Sequence, residues 1–318
     1  MAARAFNVDI VGYGSSAKIF HIPFLTQLPQ FRLYCIHFTH YKDLLADSAV
    51  DLVVVGTPPD NHFELTKSSL EAGKHVLTEK PFVPTSATAN ELISIAKVQN
   101  RLLCVYQNRR WDSDFLTVRD LVAKGALGRI LQYDSHFARY NPDPPSNRSA
   151  GLPIEKGGSM VFDLGNHLID QAYVLFGMPQ TVHGRLLSQR NGGVDFQTPD
   201  SIAVELTYPD GLLVNIRTSV LSAEVVQPRF WATDPGFGRD NPKDLKLILV
   251  DENNIPREAP APEVEPVTYK AFYAELAKAL ATGEDKDVPV RATQARDVLR
   301  LIEAVIESAK TKRGVVIA

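Results

Sequence analysis

The stretch that most constrains the fold lies near the amino terminus. Phe6-Asn7-Val8-Asp9-Ile10-Val11 reads as a strand and runs into Gly12-Tyr13-Gly14-Ser15-Ser16-Ala17, which opens a helical segment to about Leu28. Strand, G-x-G-x-x-A turn and helix in that order predict the first unit of a dinucleotide-binding sheet. Gly12 permits the tight turn, Gly14 lets a pyrophosphate approach the backbone, and the small Ala17 allows close packing of helix on strand. The free amides of the helix start, around Ser15, receive the anion. Pro23 removes a hydrogen bond inside the expected helix and should kink or shorten it, bending Phe20-His21-Ile22-Pro23-Phe24 toward the crevice. His21 is read there with equal weight as a packing residue or a ligand contact.

Strand-like and helical runs then alternate. Phe31-Arg32-Leu33-Tyr34-Cys35-Ile36 reads as the second strand and Asp51-Leu52-Val53-Val54-Val55-Gly56 as the third. Only about fourteen residues separate them, room for one short helix, so the crossover is trimmed or residues are absent from it. No acid follows the second strand, whereas His37, His40 and Lys42 do, a pattern that leans toward the 2′-phosphate of NADP rather than NAD. Thr57-Pro58-Pro59-Asp60-Asn61-His62 forms a turn with Asp60 as the expected N-cap of a helix that Gly73 ends. The strand His75-Val76-Leu77-Thr78 stops at Glu79-Lys80-Pro81-Phe82, where proline ends sheet pairing. A helix from about Ser86 to Gln99 leads to the strand Leu102–Tyr106 and to Gln107-Asn108-Arg109-Arg110-Trp111. This alternation predicts an α/β fold, a doubly wound parallel sheet whose ligand edge carries Gly12, Thr57, Lys80 and Gln107.

From about Asp112 the pattern changes, so residues 1–111 are assigned to a dinucleotide-binding domain and 112–318 to a second α/β domain. A helix from Ser113 to Lys124 precedes strand-like runs at Ile130–Ala138, Thr181–Leu187, Ile202–Tyr208, Leu212–Val220 and Leu245–Val250. Val204, Leu206 and Tyr208 alternate with Glu205 and Thr207, the mark of an antiparallel sheet with one wet face, and Tyr208-Pro209-Asp210-Gly211 is its hairpin turn. Helices at Tyr269–Ala281 and Ala292–Thr311 are expected to cover that sheet, while Asn141–Pro145 and Asp234–Gly238 read as loops, the first over the cleft.

Composition narrows the class. With 318 residues, 44% hydrophobic and 22% charged at a formal net charge of -3, the chain affords a large core and no electrostatic case for a nucleic-acid or membrane partner. No apolar run nears the roughly 20 residues of a membrane span, and the amino terminus enters a strand directly, so a cytoplasmic location is expected. Cys35 and Cys104 lie in strand-like segments and are expected to be buried and reduced.

The second constellation is Gly157-Gly158-Ser159-Met160-Val161-Phe162-Asp163-Leu164-Gly165-Asn166-His167. On a helix Asp163 and His167, four residues apart, share a face, and a carboxylate one turn from an imidazole can orient it for acid–base work; an ordinary surface pair is the plain alternative. No convincing third ligand accompanies them, so no metal is expected.

Gly12-x-Gly14-x-x-Ala17, Thr57-Pro58-Pro59-x-Asn61-His62, Glu79-Lys80-Pro81 and Asp163-x-x-x-His167 occur in this order over essentially the whole chain, which thereby resembles the glucose-fructose oxidoreductase / inositol dehydrogenase (Gfo/Idh/MocA) family. Gly12 to Phe24 and Tyr106 to Phe115 look like its branch of NADP-linked scyllo-inositol dehydrogenases. The resemblance implies a Rossmann domain followed by an α/β domain with a large, mostly antiparallel open sheet, through which homodimers or homotetramers form. It implies hydride transfer between NADP or NAD and a sugar, polyol or inositol. Lys80 would bond the reacting hydroxyl and the nicotinamide ribose, His167 would move the proton, and Asp163 would orient substrate or imidazole. Gly12, Gly14, Ser15, Ala17, Thr57, Pro58, Asn61, His62, Glu79 and Lys80 would line the cofactor, with Asn108 and Arg109 bordering nicotinamide or substrate. The chain departs from the family in its trimmed second crossover and a shortened stretch at Asp234–Asp244. The alternatives are a non-catalytic dinucleotide sensor, like the fungal galactose-pathway repressor of this fold, and the same fold acting on a carbon–nitrogen or carbon–carbon double bond.

Overall fold

The computed structural model describes residues 4–37, 41–143, 151–222, 247–250, 256–259 and 269–317. Five strands, β1 (Phe6–Val11), β2 (Phe31–His37), β3 (Leu52–Val55), β4 (His75–Glu79) and β5 (Leu103–Tyr106), form a sheet of order β2-β1-β3-β4-β5 in which every pair is parallel. All four β3 residues and all four β5 residues are buried, because helices cover both faces of such a sheet. The order reverses between β1 and β3, and the crevice at their carboxyl ends is where such sheets take a ligand.

The connections explain the local sequence. The chain passes from β2 to β3 over β1 with one short helix, α2 (Tyr41–Ala46), as the spacing predicts. Positions 38–40, part of the acid-free stretch, lie outside the described residues. The first helix departs from regular geometry: Ala17–His21 is π-helical and continues as α1 (Ile22–Leu25), with Pro23 in its first turn where a missing N–H costs nothing. Helix α3 (His62–Glu71) starts after a 3-10 turn at Pro59–Asn61, so its N-cap is Asn61, without a side-chain bond, and not the expected Asp60. Helix α4 (Ser86–Val98) is capped by Thr85, whose side chain accepts from Thr88 N–H at 3.2 Å. Cys104 is buried, and burial pushes its thiol up to about 12, but Cys35 is exposed: β2 is the edge strand, so one of its faces meets solvent.

The second sheet contains β6 (Gln132–Ala138), β7 (Thr181–Ser188), the short β8 (Gly193–Val194), β9 (Ser201–Thr207) and β10 (Leu213–Ser219). Its path closes on β13 (Val315–Val316) in the order β13-β7-β9-β10-β6, antiparallel except for the β10–β6 pair. The expected turn joins β9 to β10: Tyr208 N–H bonds Leu212 O at 3.1 Å and Leu212 N–H bonds Asp210 Oδ1 at 3.2 Å. Two further strands, β11 (Leu247–Val250) and β12 (Pro256–Ala259), pair with each other and, among the described residues, with no other strand, and the Asp234–Gly238 loop lies outside the described residues. One face of the main sheet is packed by α6 (Asn166–Phe176) and α8 (Ala292–Thr311).

The helix α7 (Lys270–Thr282), expected on this second sheet, packs instead against α1 beside the first. Aromatic burial is the reason: Tyr269 meets Phe20 and Phe24, while Tyr273 meets His21, Phe31 and Tyr106, with ring centroids 5.6–6.3 Å apart. The following segment closes the outer edge of β5, with Val105 N–H on Val290 O at 3.2 Å and a bridge between Cys104 and Arg291. The two sheets therefore share one continuous core.

Candidate active site

The site starts at the Gly12–Ala17 turn. Gly12 has φ +101°, and a β-carbon there would lie 2.8 Å from Gly56 O, so the turn after β1 nests against the turn after β3 only with glycine. Around Gly14 the space is open, Ser15 is exposed, and Ala17 is fully buried. An open cradle of exposed backbone at a helix start fits the pyrophosphate of a dinucleotide. Beside it the Thr57 hydroxyl is buried without a hydrogen-bond partner, a donor available to a ligand in the crevice. Pro58 is half-buried and Asn61 exposed on the same turn. His62 is not available for contact: fully buried, its Nδ1 faces Pro81 O and its Nε2 faces Thr57 O, each at 2.8 Å, so it holds two site loops together.

Glu79 likewise faces inward. Its carboxylate accepts from the Ser16 hydroxyl, from His21 Nε2 at 3.0 Å and from the Lys80 backbone N–H at 2.9 Å. Burial alone would raise its pKa, but the hydrogen bonds from His21 and Ser16 outweigh this and hold the carboxyl below its usual range. It is a brace between the turn and Lys80, not an exposed cofactor ligand.

Lys80 is delivered by the end of β4 and Asp163 by a π-helical turn, Val161–Gly165, that leads into α6. Their side chains meet across 83 residues: Lys80 Nζ donates to Asp163 Oδ1 at 2.6 Å. The predicted shared face of Asp163 and His167 is thus altered, because the π turn shifts the helical phase and the carboxylate is engaged by the lysine. Half of the Asp163 side-chain surface stays accessible. Burial of its surroundings opposes ionisation, yet Lys80, then Arg139 and Arg109, pull its pKa below the usual value. His167 is buried at 6% exposure, and its place is set by its neighbour: Asn166 and Gln107, just past β5, exchange amide bonds at 2.8 and 3.3 Å. Arg109 is buried, pairs with Asp112 at 2.8 Å and lies 4.9 Å over Phe137; burial lowers its pKa but the Asp112 charge reverses this and raises it. Asn108 is buried beside it.

Three further residues lie around the Lys80–Asp163 pair and its neighbouring turns. Arg139, following β6, sits 3.8 Å from Asp163 Oδ2, while Lys80 holds Oδ1. Asn166 forms the amide pair with Gln107, and buried Ser159 has φ 74° within the Gly157–Ser159 turn. Only Ser159 carried a local signal, its place after two glycines; the others required the sheets to be brought together. Among the described residues no group of three or more His, Cys, Asp or Glu is arranged to hold a metal. No helix of the described residues is long and apolar enough to cross a membrane.

A parallel sheet with a glycine turn after its first strand and a Lys–Asp pair at the same edge has the form of a dinucleotide-dependent oxidoreductase. Residues 32–107 match the family description "Oxidoreductase family, NAD-binding Rossmann fold", and residues 115–233 match "GFO/IDH/MocA C-terminal domain". The chain is 34% identical to the oxidoreductase YdgJ of Escherichia coli, over 98% of this chain and 99% of that one. That alignment runs over 349 residues where this chain has 318, so the relative carries segments that this chain lacks. It is 29% identical to the scyllo-inositol 2-dehydrogenase (NADP(+)) IolW of Bacillus subtilis, over 98% and 96%. The yvaA structure from Bacillus subtilis superposes with a TM-score of 0.86 at 28% identity, covering 99% of this chain and 100% of that one. The chain belongs to the Gfo/Idh/MocA family of oxidoreductases and is an enzyme that binds a nicotinamide cofactor and acts on a small molecule.

Proposed function

We propose that the protein is a dehydrogenase, or in reverse a reductase, that transfers hydride between NADP and a hydroxyl-bearing carbon of a polyol, sugar or inositol. The observation that carries this reading is the 2.6 Å contact of Lys80 with Asp163 at the edge that also carries the Gly12–Ala17 turn. Bound on that turn, the cofactor supplies the hydride acceptor. The hydroxyl must lose its proton as hydride leaves, so a positioned base is required. Lys80 holds the hydroxyl oxygen by hydrogen bonding, Asp163 fixes the ammonium, and His167 takes the proton. Asn108 and Arg109 shape the wall beside them, and Arg109, engaged by Asp112, does so by charge and packing. NADP is favoured over NAD by the absence of an acid after β2 and by His37, His40 and Lys42 nearby; the relative IolW is named for NADP(+). The open face of the second sheet serves for assembly into a homodimer or homotetramer.

The test is steady-state turnover with NADPH and NADH against polyols, aldoses and keto-inositols. Lys80→Ala and His167→Ala should each lower kcat by about 10²-fold or more while cofactor affinity changes little. Full activity in both variants would sink the assignment, and tight cofactor binding with no turnover in any screen would favour a dinucleotide sensor.

A further inference from the structure

Glu79 opens onto a buried chain of polar groups that the reaction does not use. Behind it His21 is wholly buried, with Nε2 on Glu79 Oε1 at 3.0 Å and Nδ1 on the Tyr273 hydroxyl. Tyr273, also wholly buried, comes from α7, 252 residues further along the chain. Burial pushes the Tyr273 hydroxyl well above its usual pKa, so it remains a donor. The Glu79 carboxylate can only accept, so His21 Nε2 carries the proton toward it and His21 Nδ1 accepts from the Tyr273 hydroxyl, whose neighbours besides His21 are Phe20 O at 3.4 Å and the Tyr106 hydroxyl, itself donated to Phe20 O at 2.8 Å.

The far end of this chain reaches both halves of the site. Glu79 Oε1 also receives the Ser16 hydroxyl, inside the Gly12–Ala17 turn, and Oε2 receives the backbone N–H of Lys80. Ser16 is thereby turned inward, leaving the outer face of the turn to backbone amides. The helix that carries Ser16 widens into a π turn over Ala17–His21, the rare geometry that recurs at functional sites, and His21 is its last residue.

We propose that His21 and Tyr273 are positioning residues for the nicotinamide dinucleotide: through Glu79 they set the pyrophosphate turn at a fixed place relative to Lys80, so that α7 governs how the cofactor meets the reacting hydroxyl. This rests on the reading that the cofactor lies on the Gly12–Ala17 turn, and it requires no particular substrate.

The experiment is direct binding of NADPH and NADH, followed by nucleotide fluorescence without substrate, to wild type, Tyr273→Phe, His21→Leu and His21→Gln. Tyr273→Phe keeps the ring and loses the donor; His21→Gln keeps a donor toward Glu79, whereas His21→Leu does not. Tyr273→Phe and His21→Leu should weaken NADPH binding by about 5- to 50-fold and raise cofactor KM more than they lower kcat, with His21→Gln recovering most of the loss. Wild-type affinity in folded Tyr273→Phe, or equal losses in His21→Gln and His21→Leu, would overturn the proposal by reducing the chain to core packing. If His21→Leu does not fold, Tyr273→Phe against wild type decides. Failure of the proposed reaction shows separately, as a wild type that binds NADPH and turns over no polyol or sugar.

Discussion

His75, at the start of β4, shows how one residue couples this fold to pH. Burial first, then the charge of Arg101, lowers its pKa to about 4 against the opposing pull of Asp51. Its Nδ1 accepts from Leu102 N–H at 3.0 Å, a bond that only the unprotonated nitrogen can make. A histidine with a folded-state pKa below its unfolded value of about 6.5 stabilises the fold fully above pH 6.5, and that stability is lost as pH falls toward 4. The loss between pH 7 and 4 should approach about 3 kcal/mol. In urea denaturation at pH 7, 5.5 and 4.5, His75→Asn, whose amide oxygen can accept the same bond, should be much less sensitive to pH; parallel curves for the two proteins would rule this out. Glu79 and Asp163, held below their usual range, act in a lower window: their contribution is present above the unfolded carboxylate pKa and is lost as pH falls through the folded one. At this scale the sequence was informative about which residue types gather and less so about how they are engaged. Glu79 and His62 look like ligands in a motif, yet their atoms are taken by Ser16 and His21 in one case and by the carbonyl oxygens of Thr57 and Pro81 in the other.

Among the elements, the helices that carry the site are the irregular ones. Both the turn leaving the Gly12–Ala17 motif and the turn bearing Asp163 are π-helical. Apolar periodicity marks a helix but cannot distinguish a single i→i+5 turn from an ordinary one, because that choice depends on what the inward side chains meet. The strands were read with more success, since β3 and β5 are short apolar runs bounded by turn residues. Packing of α8 on β7 sets another element-level constraint: a β-carbon at Gly184 would lie 2.5 Å from Val305 O, while Gly184 N–H bonds the Ser308 hydroxyl at 2.9 Å. Gly184→Ala should force the helix away from the sheet at a cost of about 1–3 kcal/mol, read as a lower midpoint in denaturant. An unchanged midpoint would show that α8 can shift freely.

For the whole molecule, the proposed homodimer or homotetramer would form through the exposed residues of the second sheet. Across β7, β9, β10 and β6, one row reads His183, Glu205, Asn215 and Asp134, and the next reads Arg185, Ala203, Arg217 and His136. Side chains of opposite sign in adjacent rows suit pairing with an identical face rotated by a two-fold axis. Arg217→Glu, on this exposed face, should shift the sedimenting species toward monomer; an unaltered oligomer would place the interface elsewhere. The sequence by itself determined the parallel sheet and the glycine turn that follows its first strand, because strand burial and glycine at a tight turn are local requirements. Only the tertiary structure decided that Asp163 binds Lys80, that α7 belongs beside the nucleotide turn, and that Glu79 faces inward to Tyr273. Those contacts join residues up to 252 positions apart, and which buried donor finds which acceptor depends on the assembled core rather than on any neighbouring stretch of chain.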